Sequence, residues 1–263
     1  MISITSSELA AWLAFVIWPA LRVTGLMLTE PILSNRGMPI IVRLGIALIL
    51  TLSIAPLLPT PPAVDFISAE GVLMAVQQLL IGATLGLTIR LVLHGVEMAG
   101  HIAGFSMGLS YASVFDPSSE AHSPVLAQFL GMLAILVFLA INGHLLMISA
   151  LFESFQILPI SSQPLAAAGF LALTEAAGKM FVIGVTLSLP LVGAIIIAHI
   201  GLGVLGRAVP QLNLFGVGLP VLLTAGFVVL LVSLPYIVLP MARLMEESVL
   251  QGLEIIRLWR APG

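Results

Sequence analysis

The chain reads as an all-α integral membrane protein, and three features of the sequence carry that reading. Hydrophobic residues make up 60% and charged residues only 8%, where a soluble domain typically carries about 25% charged residues. Six apolar stretches, near 9–29, 39–58, 71–93, 125–150, 179–206 and 214–241, approach the ~20 residues that a helix needs to cross a bilayer. The connections between them, including the two longest at 94–124 and 151–178, are too short or too apolar to form a soluble domain. Low-complexity segments and short repeats are absent. A net charge of −3 points away from nucleic acid, and Cys 0 excludes disulfides and thiolate metal sites. Met1 to Glu8 contains no basic residue, so the first apolar run is expected to be a retained span and not a cleaved signal.

The first stretch holds Trp12, Trp18, Pro19 and Arg22. An arginine more than halfway along an apolar helix costs ~2.5–3.5 kcal/mol on insertion scales. It either snorkels toward a helix end or finds an ionic or carbonyl partner on an adjacent helix or subunit, and the second is preferred. Pro31 and Pro39 then frame a turn around Asn35-Arg36-Gly37, and Arg43 re-enters apolar sequence. The run PLLPTPPAVD is too rich in proline for a helix and predicts an extended linker ending near Asp65.

In the third stretch, Gln77 and Gln78 are expected to hydrogen-bond across helices, and Gly82 and Gly86 to let two helix backbones approach closely. Arg90 follows, and the helix continues through His94, Glu97 and His101 at i, i+3 and i+7, on one face. Two histidines and a carboxylate could hold a metal or relay protons. The histidines, however, lie about 10.5 Å apart along a straight helix at 1.5 Å per residue, too far to share one ion. Polar residues at a subunit contact or wetted surface are the preferred reading.

Gly100, Gly104 and Gly108 are spaced by four, so a helix would place them on nearly one face. The helical pattern then fails. Ser110 to Ser113 are small or aromatic, and Pro117 pushes Asp116 out of the α region in the turn Asp116-Pro117-Ser118-Ser119. A pliable, mostly neutral segment between two strongly apolar stretches could line or block a path.

The fourth stretch is interrupted by Asn142-Gly143-His144, where a packed, hydrogen-bonded histidine is expected ahead of a catalytic one; for Glu153, a basic partner elsewhere in the chain is expected. Pro190 predicts a kink in the fifth. A tight hairpin is expected next, with Arg207, Pro210, Gln211 and Asn213 at its 207–213 tip, before a last helix carrying Pro220, Pro235 and Pro240. Arg36, Arg43 and Arg207 would all be cytoplasmic if the N-terminus lies outside, but the three arginines of the tail then violate the rule that basic loops face the cytoplasm. Such weak topology signals, with proline kinks and glycine faces, suit helices that pack mainly against other subunits.

Arg22, Pro31, Pro39 and Arg43 resemble the N-terminal pattern of the FliR family of flagellar type III export-gate proteins. Gln77-Gln78 with Gly82, Met107-Gly108-Leu109-Ser110 through Asp116-Pro117, Asn142-Gly143-His144 and Pro210-Gln211-Leu212 continue the likeness in order, over roughly residues 10–245. The T-type gate subunits of virulence secretion systems are similar. The resemblance implies a non-enzymatic protein without cofactor, in the bacterial inner membrane at the flagellar basal body. It implies a hetero-oligomeric helical pore assembly with FliP-type and FliQ-type subunits, an FlhB-type protein at the cytoplasmic entrance, and unfolded export substrates passing through. Residues 1–160 would correspond to a P-type subunit and 161–263 to a Q-type hairpin. The loop at 105–119 would plug the channel through Phe105, Ser106, Met107, Gly108, Leu109, Ser110, Tyr111, Ala112, Ser113, Val114, Phe115, Asp116 and Pro117. His94, Glu97 and His101 lie outside the family pattern. Two readings of other classes stand beside it: a proton-coupled secondary transporter, for which broken helices and intramembrane charges are ordinary, and a metalloenzyme built on His94, Glu97, His101 and His144.

Overall fold

The computed structural model describes residues 6–34, 37–62, 64–109, 125–209 and 214–260. Among these residues every regular element is helical: α1 (Ser6–Thr29), α2 (Ile40–Ile54), α3 (Ala69–Ser106), α4 (Val125–Ala140), α5 (Gly143–Ile157), α6 (Ala167–Ala208) and α7 (Leu219–Leu258). A 3₁₀ turn at Ala55–Leu57 follows α2, and a π turn at Leu214–Gly218 precedes α7.

Five helical segments are long and apolar enough to cross a membrane, and α4 with α5 forms a bent pair that could count as a sixth. The break in that pair falls where Asn142 takes a left-handed φ of 55°, a conformation that asparagine tolerates better than most residues. The third apolar stretch and its expected continuation through His101 form one helix that runs to Ser106. The apolar connection expected over 151–178 is mostly helix, since α5 reaches Ile157 and α6 begins at Ala167. Pro190, Pro235 and Pro240 lie inside continuous helices. The proline-rich run opens in the 3₁₀ turn after α2, which holds Pro56 and Leu57, and Leu58 leaves it extended at ψ 151°. Of the hairpin tip, Arg207 closes α6, while Pro210, Gln211 and Asn213 lie outside the described residues.

The chain forms two compact units, each assembled from separated segments. One comprises Met1–Leu91, Asn142–Ala177 and Met245–Gly263, the other Val92–Ile141 and Gly178–Leu244.

In the first unit α1 lies directly on α3. A Cβ at Gly82 would collide with the Arg22 carbonyl oxygen, and one at Gly86 would fall 2.6 Å from the backbone nitrogen of Glu30. The missing side chains let the two backbones touch, and Thr29 Oγ1 bonds the Ala83 carbonyl across the contact at 2.9 Å. Trp18 packs on Phe66 with ring centroids 5.0 Å apart. At the chain's other end Trp259 covers Gly169 and meets Phe170 at 5.3 Å.

In the second unit Gly100 takes the same role, since a Cβ there would lie 2.5 Å from Ala127 Cα on α4. Gly104, on the same face, has only ordinary contacts at 3.7 and 3.8 Å. Met98 packs over Gly184, and Met107 over Gly226.

The apolar windows differ in enclosure. In α3 56% of the window is buried, against 17% in α2 and 22% in each of α6 and α7. The faces that α2, α6 and α7 leave uncovered carry Ile41, Phe181, Ile197 and Leu231, and apolar surface on that scale requires lipid or other chains to cover it.

Candidate functional site

The end of α3 is built residue by residue to stop a helix and send the chain elsewhere. Met107 N–H still bonds the Ala103 carbonyl at 2.9 Å. Gly108 then turns left-handed at φ 81°. Its N–H returns to the Phe105 carbonyl at 3.0 Å, and the Leu109 N–H to the Gly104 carbonyl at 3.1 Å. This paired return is the Schellman arrangement, which satisfies helix-end carbonyls and favours glycine at the left-handed position. Leu109 Cδ1 comes back over Gly104, completing the apolar contact that often accompanies the motif.

Around this stop the side chains divide. Met107 is fully enclosed against Gly226, whereas Phe105 is 72% exposed. Ser106 Oγ bonds the Ile102 carbonyl at 2.9 Å, and His199 Nε2 donates to the Ser106 carbonyl at 3.3 Å. The expected plug residues Ser110, Tyr111, Ala112, Ser113, Val114, Phe115, Asp116 and Pro117 lie outside the described residues.

A second polar constellation surrounds Arg22, which is completely buried in the first unit. Its Nε donates to Gln78 Oε1 at 2.8 Å, its Nη1 to Ser154 Oγ at 3.3 Å and its Nη2 to the Leu158 carbonyl at 2.9 Å. The guanidinium also lies 4.0 Å from the centroid of the Phe155 ring. Its partners are an amide, a hydroxyl, a carbonyl and an aromatic face, with no carboxylate among them. The fixed guanidinium fork serves these acceptors at once, tying α1 to α3, to α5 and to the turn after α5. Gln77 Nε2 makes a parallel tie to the Gln163 carbonyl at 3.0 Å.

Arg90 donates to Ser34 Oγ at 2.9 Å. Near it Glu30, just past α1, is buried and accepts from the backbone N–H groups of Leu33 and Ile32. Burial pushes the Glu30 carboxyl above its ordinary range. The Leu33 and Ile32 N–H groups, then Arg90 and His144, pull it back. Glu30 is a residue that sequence reasoning missed. The signal was present, because an acid at the end of an apolar span and just before a proline is an expensive choice unless it caps a turn.

His94 Nδ1 donates to Glu97 Oε2 at 2.7 Å, and Glu97 rests on Gly131. His101 is exposed. Among the described residues no three His, Cys, Asp or Glu side chains converge on a possible metal position. His144 is exposed, in the first turn of α5. Arg43 makes an interaction of its own within the structure.

Residues 13–248 match the family described as bacterial export proteins, family 1. The "Flagellar biosynthetic protein FliR" of Escherichia coli (strain K12) is 44% identical over 237 residues, 90% of this chain and 90% of that protein. The protein of the same name from Pectobacterium carotovorum is 40% identical over 237 residues, again 90% of each chain. That from Bacillus subtilis (strain 168) is 32% identical over 222 residues, 82% of this chain and 85% of the relative. With the match spanning nearly its whole length, the chain belongs to the FliR family of bacterial export proteins.

Proposed function

We propose that this chain is a non-enzymatic pore subunit of the flagellar type III protein export gate. It closes an assembly of FliP-type and FliQ-type subunits in the bacterial inner membrane, at the flagellar basal body, with an FlhB-type protein at the cytoplasmic entrance. Residues 1–160 act as the P-type part and 161–263 as the Q-type hairpin, whose 207–213 tip is cytoplasmic. Unfolded flagellar proteins pass through the channel, and residues 105–117 contribute its plug.

The observation that carries the reading is the glycine-capped stop at Gly108. A rigid helix hands the chain to a segment of small and aromatic residues, Ser110 to Phe115. Small residues let such a segment pack in a narrow lumen, aromatic rings fill it, and an apolar constriction blocks ions by dewetting. The large uncovered apolar faces of α2, α6 and α7 supply surface for neighbouring subunits.

Shortening the segment within 110–116 is expected to leave assembly intact and make membranes leak small solutes, read as ion flux in vesicles. An unchanged barrier in a complex of unchanged mass would remove the plug from the proposal. Native mass spectrometry of the chain from its own membranes is expected to find one copy with several copies of two smaller apolar subunits. A stable monomer or homodimer would defeat the gate reading.

A further inference from the structure

Between α6 and α7, within the second unit, lies a cavity of about 380 Å³. Leu187, Val232 and Ile237 give it hydrocarbon walls, and its two corners are Pro190 and Pro240. Proline has no N–H, so the helical bond from residue i to the carbonyl of i−4 cannot form. For Pro190 the carbonyl so released belongs to Thr186, and for Pro240 it belongs to Tyr236. Both residues line the cavity.

The hydroxyls there behave differently from their neighbours. Thr84, Ser188, Thr224 and Ser248 each donate to a carbonyl three or four residues back. The Thr186 and Ser233 hydroxyls, both lining the cavity, have no hydrogen-bond partner among the described residues. Two carbonyls without their helical donor and two unpaired hydroxyls therefore gather around one apolar cavity, halfway along two membrane-crossing helices. An unsatisfied polar group in such surroundings costs several kcal/mol.

We infer that this cavity is a socket for a neutral hydrogen-bond-donating side chain, carried on an apolar membrane-spanning helix of a different chain. The inference rests on the gate reading, because it assigns one contact of that hetero-oligomer. The occupant must bring a donor, which lipid tails lack. It must also be apolar around that donor, because Leu187, Val232 and Ile237 line the cavity. No acid lines the cavity, so an ammonium or guanidinium would enter without a counter-charge. Asparagine, glutamine, serine, threonine and tryptophan meet these conditions, and a volume of this size admits about one or two side chains.

The test uses the complex purified from native membranes. Replacing Tyr236, which is 78% exposed, by photoreactive p-benzoyl-phenylalanine and irradiating is expected to join the chain to an apolar segment of a different protein. That segment should carry one of these donors within a turn of the joined residue. A product with lipid alone, with a second copy of this chain, or with a donor-free segment would overturn the inference. The chain has no native cysteine, so Ser233→Cys tests for water: no labelling by a membrane-impermeant maleimide is expected, and ready labelling would also overturn it. The pair Thr186→Val with Ser233→Ala should weaken partner retention in detergent about tenfold, and Thr186→Ser should retain it. Native mass of the unirradiated complex separates the two failures. An intact hetero-complex with an empty, lipid-filled or wet cavity defeats only the socket, whereas absence of the hetero-complex defeats the gate reading itself.

Discussion

Arg22 illustrates how a single residue organises its surroundings when it cannot reach water. Its three nitrogens are spent on Gln78, Ser154 and the Leu158 carbonyl, so removing it strands groups on three segments. Arg22→Met should destabilise the detergent-solubilised protein by about 1–3 kcal/mol, the cost of leaving buried partners unpaired. Gln78→Met should cost a similar amount, and the double variant should fall short of the sum by about 0.5–3 kcal/mol. Strict additivity in thermal melts would mean that the bond carries no energy. Glu30 makes a prediction in pH. Its pKa is raised in the folded state, so folding favours the protonated form; the associated stability is fully present below the ordinary value of 4.5 and is lost as pH rises through the folded value. Glu30→Gln keeps an acceptor for the Ile32 and Leu33 N–H groups. It should therefore be more stable than the parent at neutral pH, with the advantage vanishing toward pH 4. A pH-independent difference between their melting temperatures would contradict this.

Helices α1 and α3 show why spacing alone left one question open. Gly82-x-x-x-Gly86 announced a close helix contact, and Gly100 with Gly104 offered the same pattern on the next stretch. Only the structure distinguishes them, because Gly82, Gly86 and Gly100 meet backbone while Gly104 meets side-chain carbons at ordinary distance. Gly82→Ala should force α1 away from α3 and cost about 1–3 kcal/mol, whereas Gly104→Ala should be close to neutral; equal melting temperatures for the two variants would refute the distinction. The same reasoning divides the expected plug. Phe105 to Leu109 form the helix end and its cap, so Gly108→Ala, strained at φ 81°, should cost about 1–2 kcal/mol and speed amide exchange over 105–109. Unchanged exchange there would mean that the cap does not hold the helix end. Shortening should therefore begin after Leu109.

At the scale of the whole molecule, the arrangement follows from what apolar helices do when they are not wrapped by their own chain. α3 is enclosed, and α2, α6 and α7 are not. The two compact units are each assembled from separated segments, so no cut in the chain releases a self-contained half. A fragment ending near residue 160 should consequently fail to accumulate in membranes, while the two fragments expressed together should complement each other to a measurable degree. A stable, monodisperse 1–160 fragment would show that the first unit does not need its segment from the C-terminal tail.

Membrane class, helix count and family were legible from the sequence because each depends on properties that a linear chain displays directly: hydropathy over ~20 residues, glycine spacing and ordered short motifs. The buried fate of Arg22 was half legible, since its cost demanded a partner but did not name one. The partners stand 56, 132 and 136 residues away, and nothing local specifies them. The unequal glycines, the interleaved units and the α6–α7 cavity came only with the tertiary structure. Each of them depends on which faces meet, and helix faces of nearly uniform hydrophobicity carry too little contrast along the chain to declare their neighbours.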